Sequence, residues 1–99
     1  MSDAENIETE KSGSRFEITF SLDGHECRVE GHQGLAANQY RLYVDGEKVD
    51  EVDKSMGTHH MQGKVGDKPF AIALEGSLRN KTYLEVDGER QELLKSWVA

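Results

Sequence analysis

The chain has 99 residues, 35% of them hydrophobic, and a formal net charge of -7 at pH 7. That length and apolar content indicate one domain with a single, modest hydrophobic core. The acidic balance excludes sequence-independent binding to nucleic acid and docking on anionic lipid, because both require a basic surface. No apolar run approaches the roughly 18–20 residues of a membrane-spanning helix. Cys27 is the only cysteine, so no intrachain disulfide is possible, and we expect a reducing, cytoplasmic setting.

The first segment, residues 1–14, is polar and carries four carboxylates, those of Asp3, Glu5, Glu8 and Glu10. Such a segment buries too little apolar surface to offset the entropy cost of ordering. The sequence therefore predicts a disordered acidic tail over residues 1–14 and a single all-β domain over residues 15–99.

The clearest strand pattern follows directly, in residues 15–22. Phe16, Ile18, Phe20 and Leu22 alternate with polar residues, which is the period of a strand with one buried face. Further strands are predicted at 25–29, 40–44, 47–49, 58–65, 69–74, 81–86 and 89–94. Ala71 and Ala73 place small side chains on the second face of their strand, which predicts close packing there or a neighbouring chain.

Four glycine-containing reversals separate these strands at intervals of about 20 residues: Asp23-Gly24, Asp45-Gly46, Gly66-Asp67 and Asp87-Gly88. Asp-Gly between β-prone runs is typical of a tight hairpin, because its central residues need positive φ angles. No segment has the helical periodicity that a crossover between parallel strands needs. The pattern predicts an antiparallel β-sandwich or small barrel of about eight short strands, built from two similar hairpin-loop-hairpin halves.

A two-residue loop also predicts which residues face each other across a hairpin. Opposite charges in such positions stabilise the pair by roughly 0.2–1 kcal/mol. The predicted apolar pair is Leu42 with Val49. The predicted pairs of opposite charge are Arg41 with Asp50 and Glu85 with Arg90.

Three stretches of the sequence match motifs of a known protein family. They are Tyr-Val-Asp-Gly at 43–46, the glycine-lysine hairpin and aromatic strand at 63–70, and the closing hairpin at 83–89. Together they resemble the Fas apoptotic inhibitory molecule family, over roughly residues 15–95. The resemblance implies an antiparallel β-sandwich without catalytic residues that acts through protein–protein contacts.

His25, Cys27 and His32 are candidate metal ligands, because side chains two apart on a strand point the same way. The His59-His60 pair offers a further ligand. The spacing lacks the paired ligands that structural zinc sites normally have in both halves. The alternative interpretation is a small, buried, hydrophobic Cys27 with histidines on the surface.

Cys27 beside a histidine is also a candidate nucleophile. Glu26 and Glu30 flank it, however, and negative neighbours disfavour the reactive thiolate. The acidic turn tips at 45–47 and 87–89 lack the spaced oxygen ligands of a calcium-binding loop. We therefore expect no enzymatic activity and no cofactor.

Four residues are candidates for binding another protein: Tyr43, Met56, Met61 and Trp97. Tyr43 alternates with apolar residues and so belongs on the opposite face, where it could form an apolar patch with the two methionines. Trp97 either plugs an open end of the sandwich or anchors a partner. The sequence thus favours an interaction module whose partner is another protein or a second copy. A β-domain that binds a small molecule or metal, in the cleft between the halves or at the His25/Cys27/His32 cluster, is the alternative.

Overall fold

The computed structural model describes residues 4–34, 37–54, 57–75 and 80–97 of the chain. Among these residues no helix has the length and apolar character needed to cross a membrane. They form strands instead, nine within the described ranges. The strands are β1 (Glu5–Ser12), β2 (Arg15–Leu22), β3 (His25–Gln33), β4 (Asn38–Val44), β5 (Glu47–Lys54), β6 (His59–Val65), β7 (Lys68–Glu75), β8 (Asn80–Val86) and β9 (Glu89–Trp97).

The strands make two antiparallel sheets in which spatial order follows chain order. One sheet has five strands, β1-β2-β3-β4-β5, and the other has four, β6-β7-β8-β9. The predicted fold class, an antiparallel β-sandwich with two similar halves, is confirmed. Strands β2–β5 and β6–β9 are the two halves, and β1 is an additional strand on the first.

The four predicted reversals are tight turns between consecutive strands. In the turns at 23–24, 45–46 and 87–88, φ is 50–51° at the aspartate and 80–83° at the glycine. Two successive positive φ angles are the signature of a type I′ turn, whose twist matches that of the flanking strands. The turn at 66–67 has a positive φ, 62°, only at its glycine, as in a type II′ turn.

The core lies between the inner faces of the two sheets. The alternating side chains of β2 are buried as predicted, and their buried partners come from β3, β4, β6, β7, β8 and β9. The partly buried Val52 of β5 packs against the same cluster. Each fully buried large apolar side chain contributes roughly 1.5–3 kcal/mol. The buried apolar residues of β2 to β9 are Phe16, Ile18, Phe20, Leu22, Cys27, Val29, Tyr40, Leu42, Met61, Val65, Phe70, Ile72, Ala73, Leu74, Leu84, Val86 and Leu93.

Ala73 is fully buried although its neighbours Ile72 and Leu74 occupy the core-facing side. Across the strands it lies between His60 and Tyr83. Close packing within the four-stranded sheet, one of the two predicted reasons for small residues at this position, is therefore present.

The prediction of a disordered tail is wrong for residues 5–12. They form β1, which pairs antiparallel with β2 through the turn at 13–14. All eight side chains of β1 are exposed, and the apolar burial of this segment is confined to Ala4, just before the strand. Burial of its own side chains therefore does not order β1. Backbone pairing with β2 does, together with two hydrogen bonds that hold Ala4: its N–H donates to Gln91 Oε1 at 2.7 Å, and Gln91 Nε2 donates to its carbonyl at 3.2 Å.

The register of the middle hairpin also differs from the prediction. Leu42 pairs with Asp50 instead of Val49, and Arg41 pairs with Glu51 instead of Asp50. A β-bulge shifts the register between positions 42 and 43, and Val49 is the extra residue, with 43% of its surface exposed. Arg41 still forms an ion pair across the hairpin, but with Glu51 instead of Asp50: its Nε lies 3.4 Å from Glu51 Oε2.

The bulge turns Asp50 toward the neighbouring sheet. Asp50 Oδ2 accepts a hydrogen bond of 2.8 Å from the N–H of Gln62 on β6, and Oδ1 accepts one of 2.8 Å from the N–H of Glu51. Re-aiming a side chain is a common role of bulges. Here the Asp50 carboxylate links the two sheets. It also accepts a hydrogen bond from a backbone N–H of β6, which is an edge strand.

In both halves a phenylalanine ring lies over a glycine on the adjacent strand. Phe16 pairs with Gly31, and Phe70 pairs with Gly63. A Cβ at Gly63 would lie 2.7 Å from Phe70 Cζ, and a Cβ at Gly31 would overlap the ring of Phe16. Tyr40 pairs with Gly31 from the other side, and its ring centroid lies 6.0 Å from that of Phe16. Gly31 thus leaves the space in which the two rings meet.

We predict that Gly31→Ala lowers the free energy of unfolding by about 1–3 kcal/mol, because the added methyl group overpacks a buried ring. Urea denaturation of the variant and the wild type measures the difference. Phe16→Leu is the matched control, since a smaller side chain makes room for the methyl group. In the Gly31→Ala background Phe16→Leu should cost less than it does alone; strictly additive costs would contradict the contact.

Candidate functional site

Strand β1 is the most exposed part of the five-stranded sheet. It pairs with β2 on one side, and no other described strand pairs with it. Thr9 and Lys11 pair with the buried residues Ile18 and Phe16, which places them on the core-facing side, yet both are exposed. The four-stranded sheet therefore does not extend over β1.

Only part of β1 has a regular register. Pairing with β2 is continuous from Glu8 to Ser12 and irregular between Glu5 and Glu8. Asn6 has a φ of 55° in the irregular part, and Ile7 there is 38% exposed. We call the open side of Glu8–Ser12 the β1 edge. Alternate N–H and C=O groups of such an edge point away from the sheet, toward the position that a further strand would take.

Three carboxylates form a row that starts at the β1 edge. Glu10 pairs with Glu17, and Glu17 pairs with Glu30. We call these three residues the carboxylate row. Directly opposed like charges destabilise a strand pair. Cations balance the charge at the far end of the row, where Glu30 pairs with Arg41 across the strands. In addition, Glu30 Oε2 lies 3.2 Å from Arg28 Nε.

The same end of the sheet encloses a concavity of about 430 Å³. It is formed by β1–β4 alone, so it lies within one sheet and is not the predicted cleft between the halves. Its surface is mostly charged, with acids and bases in equal number apart from one histidine. It is lined by Glu10, Lys11, Ser12, Arg15, Phe16, Glu17, Glu30, Gly31, His32, Gln39 and Arg41.

Tyr43, a predicted contact residue, is covered on one side by Arg28. The Arg28 guanidinium carbon lies 4.2 Å from the centre of the Tyr43 ring, a cation–π contact worth roughly 0.5–1 kcal/mol at an exposed site. Arg28 Nε has no aligned hydrogen bond, so its contact with Glu30 is an ion pair only. Tyr43 is therefore one part of a polar outer face and not a bare aromatic surface.

The four-stranded sheet repeats this arrangement with Arg90 and Tyr83. The guanidinium carbon lies 4.4 Å from the ring centre, and Arg90 Nη2 lies 2.7 Å from Glu85 Oε2 and 2.9 Å from Glu75 Oε2. The predicted pairing of Glu85 with Arg90 is confirmed.

The predicted apolar patch does not form around Met61. Its side chain is fully buried and belongs to the core, because β6 turns that position inward. Met56 lies outside the described residues. Trp97 ends β9 opposite Asn80, and its side chain lies outside the described part, so its role stays a prediction.

The predicted metal cluster is not assembled. Cys27 lies in the core, His25 stands beside the turn at 45–46, and His32 lines the concavity on the other face of β3. Among the described residues, no three His, Cys, Asp or Glu side chains converge on a point where they could hold a metal. The alternation of strand side chains separates position 32 from 25 and 27.

His59 and His60 do not complete a metal site with these residues either, as both lie on β6 of the other sheet. His60 Nε2 lies 3.3 Å from Glu85 Oε1, so this histidine faces the outer side of the four-stranded sheet.

The environment of Cys27 disfavours a nucleophile. Burial raises the pKa of its thiol to about 11, with smaller contributions from the carboxylates of Asp45 and Glu26. At neutral pH the thiol is protonated, and the protonated form is the unreactive one.

Asp45 makes a latch between two hairpins, which sequence reasoning treated only as a turn residue. Its Oδ2 lies 2.7 Å from His25 Nδ1, and its Oδ1 accepts a hydrogen bond of 3.1 Å from the N–H of Glu26. Its own N–H donates to the Glu26 carbonyl at 2.7 Å. The hydrogen bond with His25, followed by that from Glu26, lowers the pKa of Asp45. The signal that could have revealed the latch is a histidine directly after the turn at 23–24.

No family model matches the chain, and no curated protein or solved structure is significantly similar to it. The candidate site therefore rests on the geometry of this chain alone.

We predict that Asp45→Asn lowers the melting temperature at pH 7, because the amide cannot replace the charged acceptor beside His25. A lowered folded-state pKa gives stability above the unfolded pKa of about 3.9, and that stability is lost as the pH falls through the folded pKa. The difference from wild type should therefore shrink below about pH 4 in thermal unfolding. Asp87→Asn is the matched control, and a constant difference at every pH would contradict the latch.

We also predict that Cys27 reacts slowly with an aromatic disulfide reagent at pH 8 while the chain is folded. Burial and the raised pKa both keep the thiolate concentration low. Absorbance of the released thiolate should report one fast-reacting group only after unfolding in guanidinium. Fast reaction of the native protein would mean that the thiol is accessible.

Proposed function

We propose that this chain is a non-enzymatic interaction domain that binds an extended segment of another protein along the β1 edge. The observation that carries the proposal is an edge strand that is regularly paired on one side only, with its side chains exposed on both faces. Addition of a strand to such an edge satisfies its outward backbone groups and is a recurrent mode of peptide recognition.

The other edge strands of the two sheets are less available for this purpose. On β5 the bulge at Val49 interrupts the regular register. On β6 the N–H of Gln62 is already bonded to Asp50, and on β9 the side chain of Gln91 holds Ala4. Charged residues on β1, among them Glu8, Glu10 and Lys11, keep an open edge soluble and discourage aggregation. The β1 edge thus combines availability with protection.

The composition of the chain supports the same class of function. A single cysteine buried as a protonated thiol supports a non-catalytic role in a reducing, cytoplasmic compartment. The resemblance to the Fas apoptotic inhibitory molecule family stays a prediction, and its implied role in protein–protein contacts agrees with the proposal.

A small polar ligand in the concavity is the second candidate function. The volume of about 430 Å³ falls within the range of roughly 300–1,000 Å³ for ligand pockets. Such pockets are usually apolar, whereas this one is lined mainly by charged side chains. Strand addition therefore has the stronger support.

The test is selection of linear peptides from a displayed random library on the full-length chain, followed by mapping of binders with ¹⁵N NMR. We expect shifts centred on Glu8–Ser12 and slower hydrogen exchange of the amides that face the edge, because the added strand protects them. Binders that shift His32 and Gln39 without protecting β1 would favour the second candidate. Failure to obtain any binder to β1 would contradict strand addition.

A further inference from the structure

The carboxylate row is balanced at one end only. Glu30 has Arg28 at 3.2 Å and Arg41 as its cross-strand partner. Glu10 and Glu17, nearer the open edge, have no ion pair with any described residue. Their only cross-strand neighbours in the row are each other and Glu30. The row therefore ends, at the β1 edge, in two carboxylates that no ion pair with a described residue neutralises. Arg15, diagonal to Glu10 on the same face, is the one cation on β2.

A strand added at the β1 edge would continue the row. The residue placed opposite Glu10 would have its Cα within about 4.5–5.5 Å of that of Glu10, and the residue two positions away would lie opposite Glu8. Glu8 and Glu10 face the outer side of the sheet, since they pair with Thr19 and Glu17. The two added residues opposite them would face the same side. The residue between them would lie opposite Thr9, on the core-facing side.

We propose that the segment bound at the β1 edge is basic and extended, with lysine or arginine at two alternate positions that face Glu8 and Glu10. A β-branched residue between them would pair with Thr9 on the other face, a favourable cross-strand combination. This inference rests on the proposed function, which it deepens by naming the chemistry of the partner.

A second copy of this chain does not supply that chemistry. About a two-fold axis perpendicular to the sheet, two β1 strands pair outer face with outer face. The outer residues of the regular part are Glu8, Glu10 and Ser12. Every register except Ser12 opposite Ser12 would therefore place a glutamate against a glutamate or a serine. The net charge of -7 on each chain adds repulsion between copies and attraction for a basic segment.

The test is an NMR titration of the ¹⁵N-labelled chain with two ten-residue peptides, one that alternates Val with Lys and one that alternates Val with Ser. The Lys-Val peptide should shift the amides of residues 8–12 and bind at least about threefold more tightly than the Ser-Val peptide, as expected for two cross-strand charge pairs. Its affinity should fall toward that of the Ser-Val peptide in 1 M salt, where the Debye length is about 3 Å.

Glu8→Gln with Glu10→Gln is the diagnostic double variant, and Glu47→Gln with Glu89→Gln, at two turns away from β1, is the control with the same change in charge. The first should weaken Lys-Val binding by about threefold or more, and the second should leave it nearly unchanged. Equal weakening by both would show non-specific attraction and overturn the inference.

Three further outcomes would also overturn it, and they separate it from the proposed function. Equal binding of the Ser-Val and Lys-Val peptides at β1 would leave strand addition standing and remove the basic partner. Concentration-dependent shifts at residues 8–12 without peptide, with a dimer in sedimentation, would make a second copy the occupant. No shift at β1 with any peptide would overturn both proposals.

Discussion

The reversal of the chain within two residues is the constraint on which this structure depends. At the turns ending in Gly24, Gly46 and Gly88 both central residues have positive φ, a conformation that costs glycine nothing and aspartate little. Each such turn forces the next strand to pair with the one before it. Because pairing fixes which side chains face inward, the turns also determine the membership of the core.

Local sequence patterns were enough to predict most of the strands and turns. They failed where contacts between residues distant in sequence determine the structure. The alternation of Phe16 to Leu22 and the Asp-Gly turns are short-range features, so the strands and two halves were predictable. Strand β1 was not, since it is ordered by backbone pairing and by the distant Gln91, neither of which leaves an apolar pattern. The bulge at Val49 accompanies the hydrogen bond between Asp50 and Gln62 of β6, a long-range contact that the two-residue loop does not encode.

The candidate site shows the same division. The sequence directed attention to rare residue types, but Cys27 and Met61 are core residues, and His25 serves a turn. The β1 edge consists of ordinary polar residues, and it becomes recognisable only when the strand order leaves it without a neighbour. The carboxylate row is likewise invisible in the sequence, because Glu10, Glu17 and Glu30 come together only through the register of three strands.

The agreement between strand order and chain order bears on how the molecule acquires its shape. Each strand pairing within the described ranges joins strands that are consecutive along the chain, so each closes a short loop at a low entropy cost. Sandwiches whose neighbouring strands are remote in sequence must close long loops first and fold slowly. This chain can assemble its sheets hairpin by hairpin, leaving the docking of two preformed sheets as the step that demands a distant encounter.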